Sequence, residues 1–175
     1  MNLKQINAEV YIAQGKVVQF GEEEIAFLKE MASNSDRKRA RICAHKTDKD
    51  SLHEMLIVMA SSSYVKPHRH IGKSESFHII EGEVDVVIFN EEGVIKEVVQ
   101  LGAKGTGKNL FYRLSNSEFH TILVRSRFLV LHEVTDGPFE RDKTVWACFA
   151  PDEGETLETI NYIKKLNEKV AQLLI

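Results

Sequence analysis

One stretch decides the fold of this chain: Ser63-Tyr64-Val65-Lys66-Pro67-His68-Arg69-His70, which continues to Glu75 and Gly82. Side chains alternate along an extended backbone, so His68 and His70 point to the same side. Glu75 opens the next strand-like segment, which ends in a turn at Gly82. Two imidazoles and a carboxylate that converge on one point favour a first-row transition metal.

A fourth metal ligand is available on a later strand. His120 follows His70 by 50 residues and lies in the apolar run Phe119–Val124. Three histidines and one glutamate, Glu75, form a mixed nitrogen and oxygen site with positions open for water or substrate. Such a site suits one divalent first-row transition metal, such as zinc, iron, manganese, nickel or cobalt.

The order and spacing of these residues resemble the two metal motifs of the cupin superfamily. The pattern is His68-x-His70-x4-Glu75-x6-Gly82, followed by His120. The longer run from residue 63 to residue 75 is similar to one branch, the WbuC-type cupin fold metalloproteins. Genes for that branch are found among those for bacterial O-antigen and capsule biosynthesis. The resemblance implies a metal inside a β-barrel, near one mouth.

Two upstream segments also resemble the WbuC-type branch. They are Arg39-x-Arg41-x3-His45 and His53-Glu54-Met55, so the resemblance covers roughly residues 20–150. Two positions depart from the usual cupin motifs. Ser62 replaces the usual first glycine, and Ser115-Asn116-Ser117-Glu118-Phe119-His120 replaces the usual Pro-x-Gly-x-x-His.

Basic residues and histidines around the motif are candidates for substrate binding. On a strand, Arg39, Arg41, Cys43 and His45 share one face, where the planar donor fork of arginine suits a phosphate or carboxylate. A solvated basic loop with ordinary ion pairs is the alternative. The complete predicted set of substrate-binding residues is Arg39, Arg41, His45, Arg69 and Lys73.

Proton transfer is assigned to Tyr64 or His53, although a histidine in an apolar strand is more often a core residue. His78 has the opposite parity from Glu75, so it is expected to face away from the metal. His132 and Glu133 lie on opposite faces of their strand, and the sequence leaves open which one points inward. The single tryptophan, Trp146, is expected to serve packing rather than to bind a sugar.

Short strands with glycine and asparagine turns, and one helix near each end, indicate an all-β barrel. The resemblance makes this barrel a double-stranded β-helix, the cupin jelly roll, with N-terminal and C-terminal helices. We divide the single domain into an N-terminal arm and helix (residues 1–35), the cupin barrel (36–151) and a C-terminal helix packed on the barrel (152–175). An apolar stripe along the last helix also offers a surface for a homodimer contact.

Composition limits the functional classes. The chain has 175 residues, a formal net charge of −3 and 43% hydrophobic residues, so it can form a real core and carries no basic excess for nucleic acid. Its two cysteines, Cys43 and Cys148, form no zinc-type pair and fit a reducing compartment. No secretory signal and no membrane-length apolar run is found, so we expect a cytoplasmic protein.

Three functions remain compatible with the sequence. The first is a small metalloenzyme that acts on a sugar or sugar-nucleotide intermediate of bacterial surface polysaccharide, as the resemblance implies. Its partner would be a small molecule, such as an anionic carbohydrate. The second is an Fe(II)-dependent dioxygenase, for which the same ligands would serve. The third is a non-catalytic ligand-binding or sensory cupin.

Overall fold

The computed structural model describes residues 2–154 and 156–174. In this part of the chain, twelve strands and two α-helices are formed, with one 3-10 turn (Arg141–Lys143). The strands are β1 (Leu3–Gln5), β2 (Val10–Ala13), β3 (Arg39–Cys43), β4 (Leu52–Ala60), β5 (His68–His70), β6 (Glu75–Glu81), β7 (Glu83–Phe89), β8 (Ile95–Gly102), β9 (Phe111–Leu114), β10 (Phe119–Val124), β11 (Phe128–Asp136) and β12 (Thr144–Trp146). The helices are α1 (Glu22–Asn34) and α2 (Leu157–Leu173).

The strands form two sheets that together make the cupin jelly roll, so the predicted fold class is confirmed. One sheet has the order β1-β2-β3-β4-β11-β6-β9, and the other has the order β12-β5-β10-β7-β8. Strands distant in sequence, such as β4 and β11, are neighbours in the sheet, and they pair antiparallel over nine residue positions. In the second sheet, β5 and β10 are likewise distant in sequence and paired antiparallel.

The inward faces of the two sheets form one apolar cluster. It is built from alternate strand residues, including Ile57 and Met59 of β4, Leu129 and Leu131 of β11, and Val86 of β7. Intervening residues face outward, because side chains alternate across a strand. The alternation of inward and outward side chains that predicts the strands therefore also determines which residues form the barrel interior.

The two helices cover the outer faces of the barrel. Helix α1 lies on the first sheet, with Leu28 and Ala32 packed in a cluster with Ile42 and Val58. Its first turn carries three glutamates, which favour the positive end of the helix dipole. The predicted N-terminal helix is thus confirmed.

Helix α2 packs on the second sheet through part of its predicted stripe. Leu166 and Val170 are buried against Phe89, Phe119 and neighbouring apolar residues of that sheet. Three other stripe residues remain exposed, namely Leu157, Ile160 and Leu173. Neither α2 nor α1, the two α-helices in the described ranges, is long and apolar enough to cross a membrane.

In the N-terminal arm, β2 pairs antiparallel with β1 through the register Leu3↔Ala13. The segment 17–20 forms no strand, although it lies within the described residues. Val18 and Phe20 pack against α1 and its cluster instead. The division of the single domain after residues 35 and 151 stays a prediction.

Candidate metal centre

Strand register brings three histidines together at one end of the barrel. His68 of β5 stands directly opposite His120 of β10, and His70 lies two residues along the same face of β5. One ring nitrogen from each histidine lies within 4.8 Å of the other two. His120 is buried, while His68 and His70 are half-buried. This cluster can hold a metal ion.

Each of the three imidazoles is oriented by a hydrogen bond at Nδ1. The Nδ1 atoms of His68 and His120 lie 2.9 Å from the carbonyl oxygen of Lys66 and 3.0 Å from that of Glu118, respectively. Nδ1 of His70 lies 3.2 Å from the hydroxyl oxygen of Thr144. Hydrogen bonds of this kind fix the tautomer of metal-binding histidines and leave Nε2 for the ion.

Glu75 lies beside the histidines and is almost fully buried, with 6% of its surface exposed. Its Oε1 is 2.9 Å from Nε2 of His120, and its Oε2 is 3.8 Å from Nε2 of His70. Against the effect of burial, the contact between Glu75 and His120 lowers the pKa of the carboxyl and raises the pKa of the imidazole. Both carboxylate oxygens are therefore directed at histidine nitrogens. The four side chains therefore fit a divalent transition metal.

The pKa values of these groups follow from burial and mutual charge. Burial, followed by the nearby His120 and His70, lowers the pKa of His68 to about 3, so this ring is neutral near pH 7. Burial also lowers the pKa of His70. For Glu75, burial acts upward, but the surrounding histidines outweigh it and hold the carboxyl pKa below its ordinary value. For His120, burial acts downward, but the charge of Glu75 outweighs it and raises the imidazole pKa. Neutral imidazoles at His68 and His70 and an ionised Glu75 are in the protonation states that bind metal, and metal binding at His120 requires the neutral ring.

The unusual turn before His120 is attached to the first motif. The hydroxyl of Ser117 donates to the carbonyl oxygen of His70 at 2.8 Å and accepts from the backbone N–H of Gly72 at 3.2 Å. These bonds hold the segment 115–118 against the end of β5. The turn therefore delivers His120 into the cluster without the proline and glycine of the usual motif.

Two polar residues that the sequence analysis did not assign flank Glu75 inside the barrel. Glu133 stands opposite Phe77 on β11, and Tyr112 stands opposite the same residue on β9, so both face inward, diagonally from Glu75. Burial, and then the charge of Glu75, raises the pKa of Glu133 to about 7. The Tyr112 hydroxyl is buried, with no hydrogen-bond partner in the described residues. Only the register could reveal these two positions, because parity alone left Glu133 undecided.

Trp146 differs from its expected packing role. It stands opposite His68 on the edge strand β12, with the two ring centroids 5.2 Å apart. Its surface is 51% exposed, whereas the preceding residue, Val145, packs in the outer apolar cluster. The indole therefore borders the histidine cluster, and no sequence pattern distinguishes it from a core tryptophan.

Three of the predicted substrate-binding cations are engaged by protein groups. Arg39 donates to both carboxylate oxygens of Glu153, at 3.0 and 2.7 Å. Arg69 has the opposite parity from the histidines, pairs with Glu91 and lies over the ring of Phe119. These contacts support the ion-pair alternative for both arginines.

Lys73 is engaged in a similar way, because its ammonium donates to the carbonyl oxygens of Asp136 and Pro138. This lysine ties the loop after β5 to the turn after β11. Arg41 is exposed and shares its strand face with Cys43, which packs in the barrel interior. Arg41 also lowers the pKa of Glu133, against the larger effect of burial. Lys73 likewise lowers the pKa of His70, in addition to the larger effect of burial, so the charges of both Arg41 and Lys73 act on groups at the site.

The two candidates for proton transfer have different surroundings. The hydroxyl of Tyr64 donates to the carbonyl oxygen of Pro151 at 2.9 Å, and its ring packs edge-on against Tyr162 of α2. That contact joins the barrel to the last helix. His53 faces inward and stacks on His45 with ring centroids 4.0 Å apart. Nε2 of His53 is buried, with no partner in the described ranges.

His45 and His78 complete the predicted histidines. Nδ1 of His45 lies 3.2 Å from backbone atoms of Glu54, and burial, followed by the neighbouring His53, lowers the pKa of His45. His78 is exposed on the outer face of β6. Its predicted outward orientation is confirmed, because it points away from the barrel interior.

Comparisons with known proteins agree with the architecture. A family described as a domain of unknown function (DUF6016) matches residues 20–101. A search of curated proteins gives no match. Protein SO0799 from Shewanella oneidensis is similar in structure, with a TM-score of 0.55, 11% identity, and coverage of 89% of this chain and 96% of that chain. This likeness shows the fold alone.

Two further solved structures align over about half of the chain. Oxalate decarboxylase from Bacillus subtilis gives a TM-score of 0.45 at 18% identity, with 56% of this chain and 24% of that chain covered. The Schizosaccharomyces pombe Cnp3 cupin domain gives 0.44 at 13% identity, with 57% and 65% covered. The chain thus spans about a quarter of the length of the decarboxylase. The chain therefore has a jelly-roll fold, and its cluster of three histidines could hold a metal ion.

Proposed function

We propose that this protein is a small metalloenzyme whose metal is held by His68, His70, Glu75 and His120. Its substrate would be a small anionic carbohydrate, such as a sugar-nucleotide intermediate of bacterial surface polysaccharide, as in the WbuC-type branch that the sequence resembles. One observation carries the metal assignment. Ring nitrogens of the three histidines lie within 4.8 Å of one another, and Oε1 of Glu75 lies 2.9 Å from Nε2 of His120, so one cation could contact all four side chains.

A divalent metal bound at these residues would polarise a substrate carbonyl or hydroxyl, or lower the pKa of a bound water. The side chains opposite the histidines would then position the substrate and move protons. Glu133 is suited to general acid–base work, because burial raises its pKa to about 7 and its strand position faces the site. We therefore assign proton transfer to Glu133 in preference to Tyr64, whose hydroxyl is used by Pro151.

Tyr112 and Arg41 are the proposed contacts to substrate. The buried hydroxyl of Tyr112 lacks a partner in the described residues and can donate to a substrate oxygen. Arg41 supplies a charge for a phosphate or carboxylate, since it stands opposite Ile57 and shares the strand face of Cys43, and both of these residues pack in the barrel interior. His53 remains a third candidate through its buried Nε2.

Elemental analysis of the purified protein tests the metal assignment. Wild type is compared with His68→Ala and His120→Ala, and the control is His78→Ala, which removes an exposed histidine from the outer face of β6. We expect near-stoichiometric metal in wild type and in the control, and its loss in the other two variants. Absence of metal from wild type after reconstitution would overturn the proposal.

Turnover tests the enzymatic part on the same samples. Metal-loaded protein is incubated with sugar nucleotides and sugar phosphates, and products are sought by mass spectrometry and NMR. We expect conversion that is lost in Glu133→Gln while its metal content is kept. Stoichiometric metal without any conversion would instead favour a binding or sensory cupin, and iron with oxygen consumption would favour a dioxygenase.

A further inference from the structure

Strand β12 directs two side chains at the histidine cluster. Thr144 stands opposite His70 and Trp146 stands opposite His68, so both lie on the face of the sheet that carries the histidines. Between them, Val145 points the other way and packs in the outer apolar cluster under α2. Thr144 holds Nδ1 of His70 through its hydroxyl. The role of Trp146 is not explained by packing.

The indole of Trp146 is left with an accessible apolar surface. Its residue is 51% exposed, although burying an aromatic side chain of this size is strongly favourable. The rings of Trp146 and His68 are inclined at 44°, so the imidazole does not stack on the indole face. Because β12 is an edge strand of its sheet, one side of Trp146 adjoins no further strand.

The opposite wall of the same space is polar. Glu133 and Tyr112 face inward from the first sheet, and the buried hydroxyl of Tyr112 has no hydrogen-bond partner in the described residues. A ligand at the histidines would therefore meet an aromatic surface on one side and polar groups on the other. A pyranose ring matches this arrangement, since its hydroxyls lie around the rim and its C–H bonds present an apolar face.

We propose that Trp146 forms an aromatic wall of the ligand site and packs against the flat face of a sugar ring, whose hydroxyls point toward Glu133 and Tyr112. This inference rests on the proposed function for the location of the ligand and defines the part of the ligand that the site recognises. It makes Trp146 a specificity-determining residue. A nucleobase could also stack on the indole of Trp146, so the test distinguishes binding of a sugar ring from binding of a nucleobase.

Titration calorimetry on the full-length, metal-reconstituted protein provides the test, with glucose 1-phosphate, UDP-glucose and UDP as probes. The variants are Trp146→Ala, Trp146→Phe and the control Phe111→Ala, in which a 58% exposed aromatic is removed from the outer face of β9. We expect roughly tenfold weaker binding of both sugar-bearing probes to Trp146→Ala, and smaller losses for Trp146→Phe. The control should bind like wild type.

Fluorescence supplies an independent readout, because Trp146 is the only tryptophan in the chain. Its emission should change when glucose 1-phosphate binds to wild type and stay constant with UDP. The inference fails if Trp146→Ala binds the sugar probes as tightly as wild type, or if none of the probes binds. It also fails if UDP, which has no sugar beyond its nucleoside, loses as much affinity in Trp146→Ala as the sugar-bearing probes do. Thermal unfolding of each variant verifies that it is folded.

The metal content of the same samples keeps the two proposals apart. Wild type without metal defeats the proposed function, whatever the probes do. If wild type holds stoichiometric metal but Trp146→Ala binds the sugar probes as tightly as wild type, the metal assignment stands and only the proposed role of Trp146 fails.

Discussion

The two halves of the barrel interior differ in chemistry although the same strands build both. At the mouth, β6 presents Glu75 and β10 presents His120, and farther along the same faces these strands present Ile79 and Ile122. Along the inward face of β11, the side chain is likewise polar at the mouth (Glu133) and apolar farther in (Leu129). Alternation sets which residues face inward, and position along the strand sets whether they serve the site or the core.

The difference indicates a division of energetic roles. The closed half is an apolar cluster that gains stability from burial. The mouth half contains buried polar atoms without partners in the described residues, which cost stability until a ligand satisfies them. We therefore expect changes in the closed half to alter folding and changes at the mouth to alter ligand affinity.

The largest effect on folding is expected from Leu129→Ala in the closed half. Leu129 is fully buried, so the variant should lose about 2–5 kcal/mol of unfolding free energy through lost burial and a residual cavity. Denaturant unfolding measures this loss. The metal content of the folded fraction should not change. A loss of metal from the folded fraction, together with the loss of stability, would contradict the separate roles of the closed half and the mouth.

A smaller effect is expected from Thr144→Val at the mouth. The substitution keeps the shape of the side chain and removes the hydroxyl at Nδ1 of His70. Loss of such an orienting partner typically weakens metal binding by about 10–100-fold. Competition with a chromogenic chelator measures the affinity. Thr106→Val, in the loop after β8, is the matched control and should bind metal like wild type.

The smallest effect concerns the pH dependence of stability in the chelator-treated protein. Burial raises the pKa of Glu133 from 4.5 to about 7, so between these pH values the folded state keeps a proton that the unfolded state has released. The contribution of this group to the unfolding free energy therefore falls as pH rises through that window. Glu133→Gln removes the titration.

Relative to wild type, Glu133→Gln should thus become more stable as pH rises from about 5 to about 8. Urea unfolding of both proteins across this range provides the comparison. A stability difference that stays constant with pH would show that Glu133 titrates alike in the folded and unfolded states.

The sequence predicted the strands better than the partners of charged side chains. His68 and His70 share a face because of their spacing alone, and the outward position of His78 follows from the same rule. In contrast, Arg39 meets Glu153, which is 114 residues away along the chain. Long-range ion pairs leave no local pattern, so sequence could not separate a substrate clamp from a structural pair.

The histidine cluster was predicted because its spacing is local and rigid, except at His120. The turn before His120 departs from the usual motif, and the hydrogen bonds of Ser117 to His70 and Gly72 position this turn instead. Tyr64 shows the opposite case. Its place in the resembling stretch suggested chemistry, but its ring packs on Tyr162 of the last helix and its hydroxyl donates to the carbonyl oxygen of Pro151.

The sequence by itself determined the class of fold, the two helices and the three histidines that can hold a metal. These features depend on alternation, helical spacing and short-range order, which a chain carries in its local pattern. Tertiary structure alone decided that Glu133, Tyr112 and Trp146 face the same space. Their strands pair across long separations, and register, rather than any local pattern, determines which side chains meet.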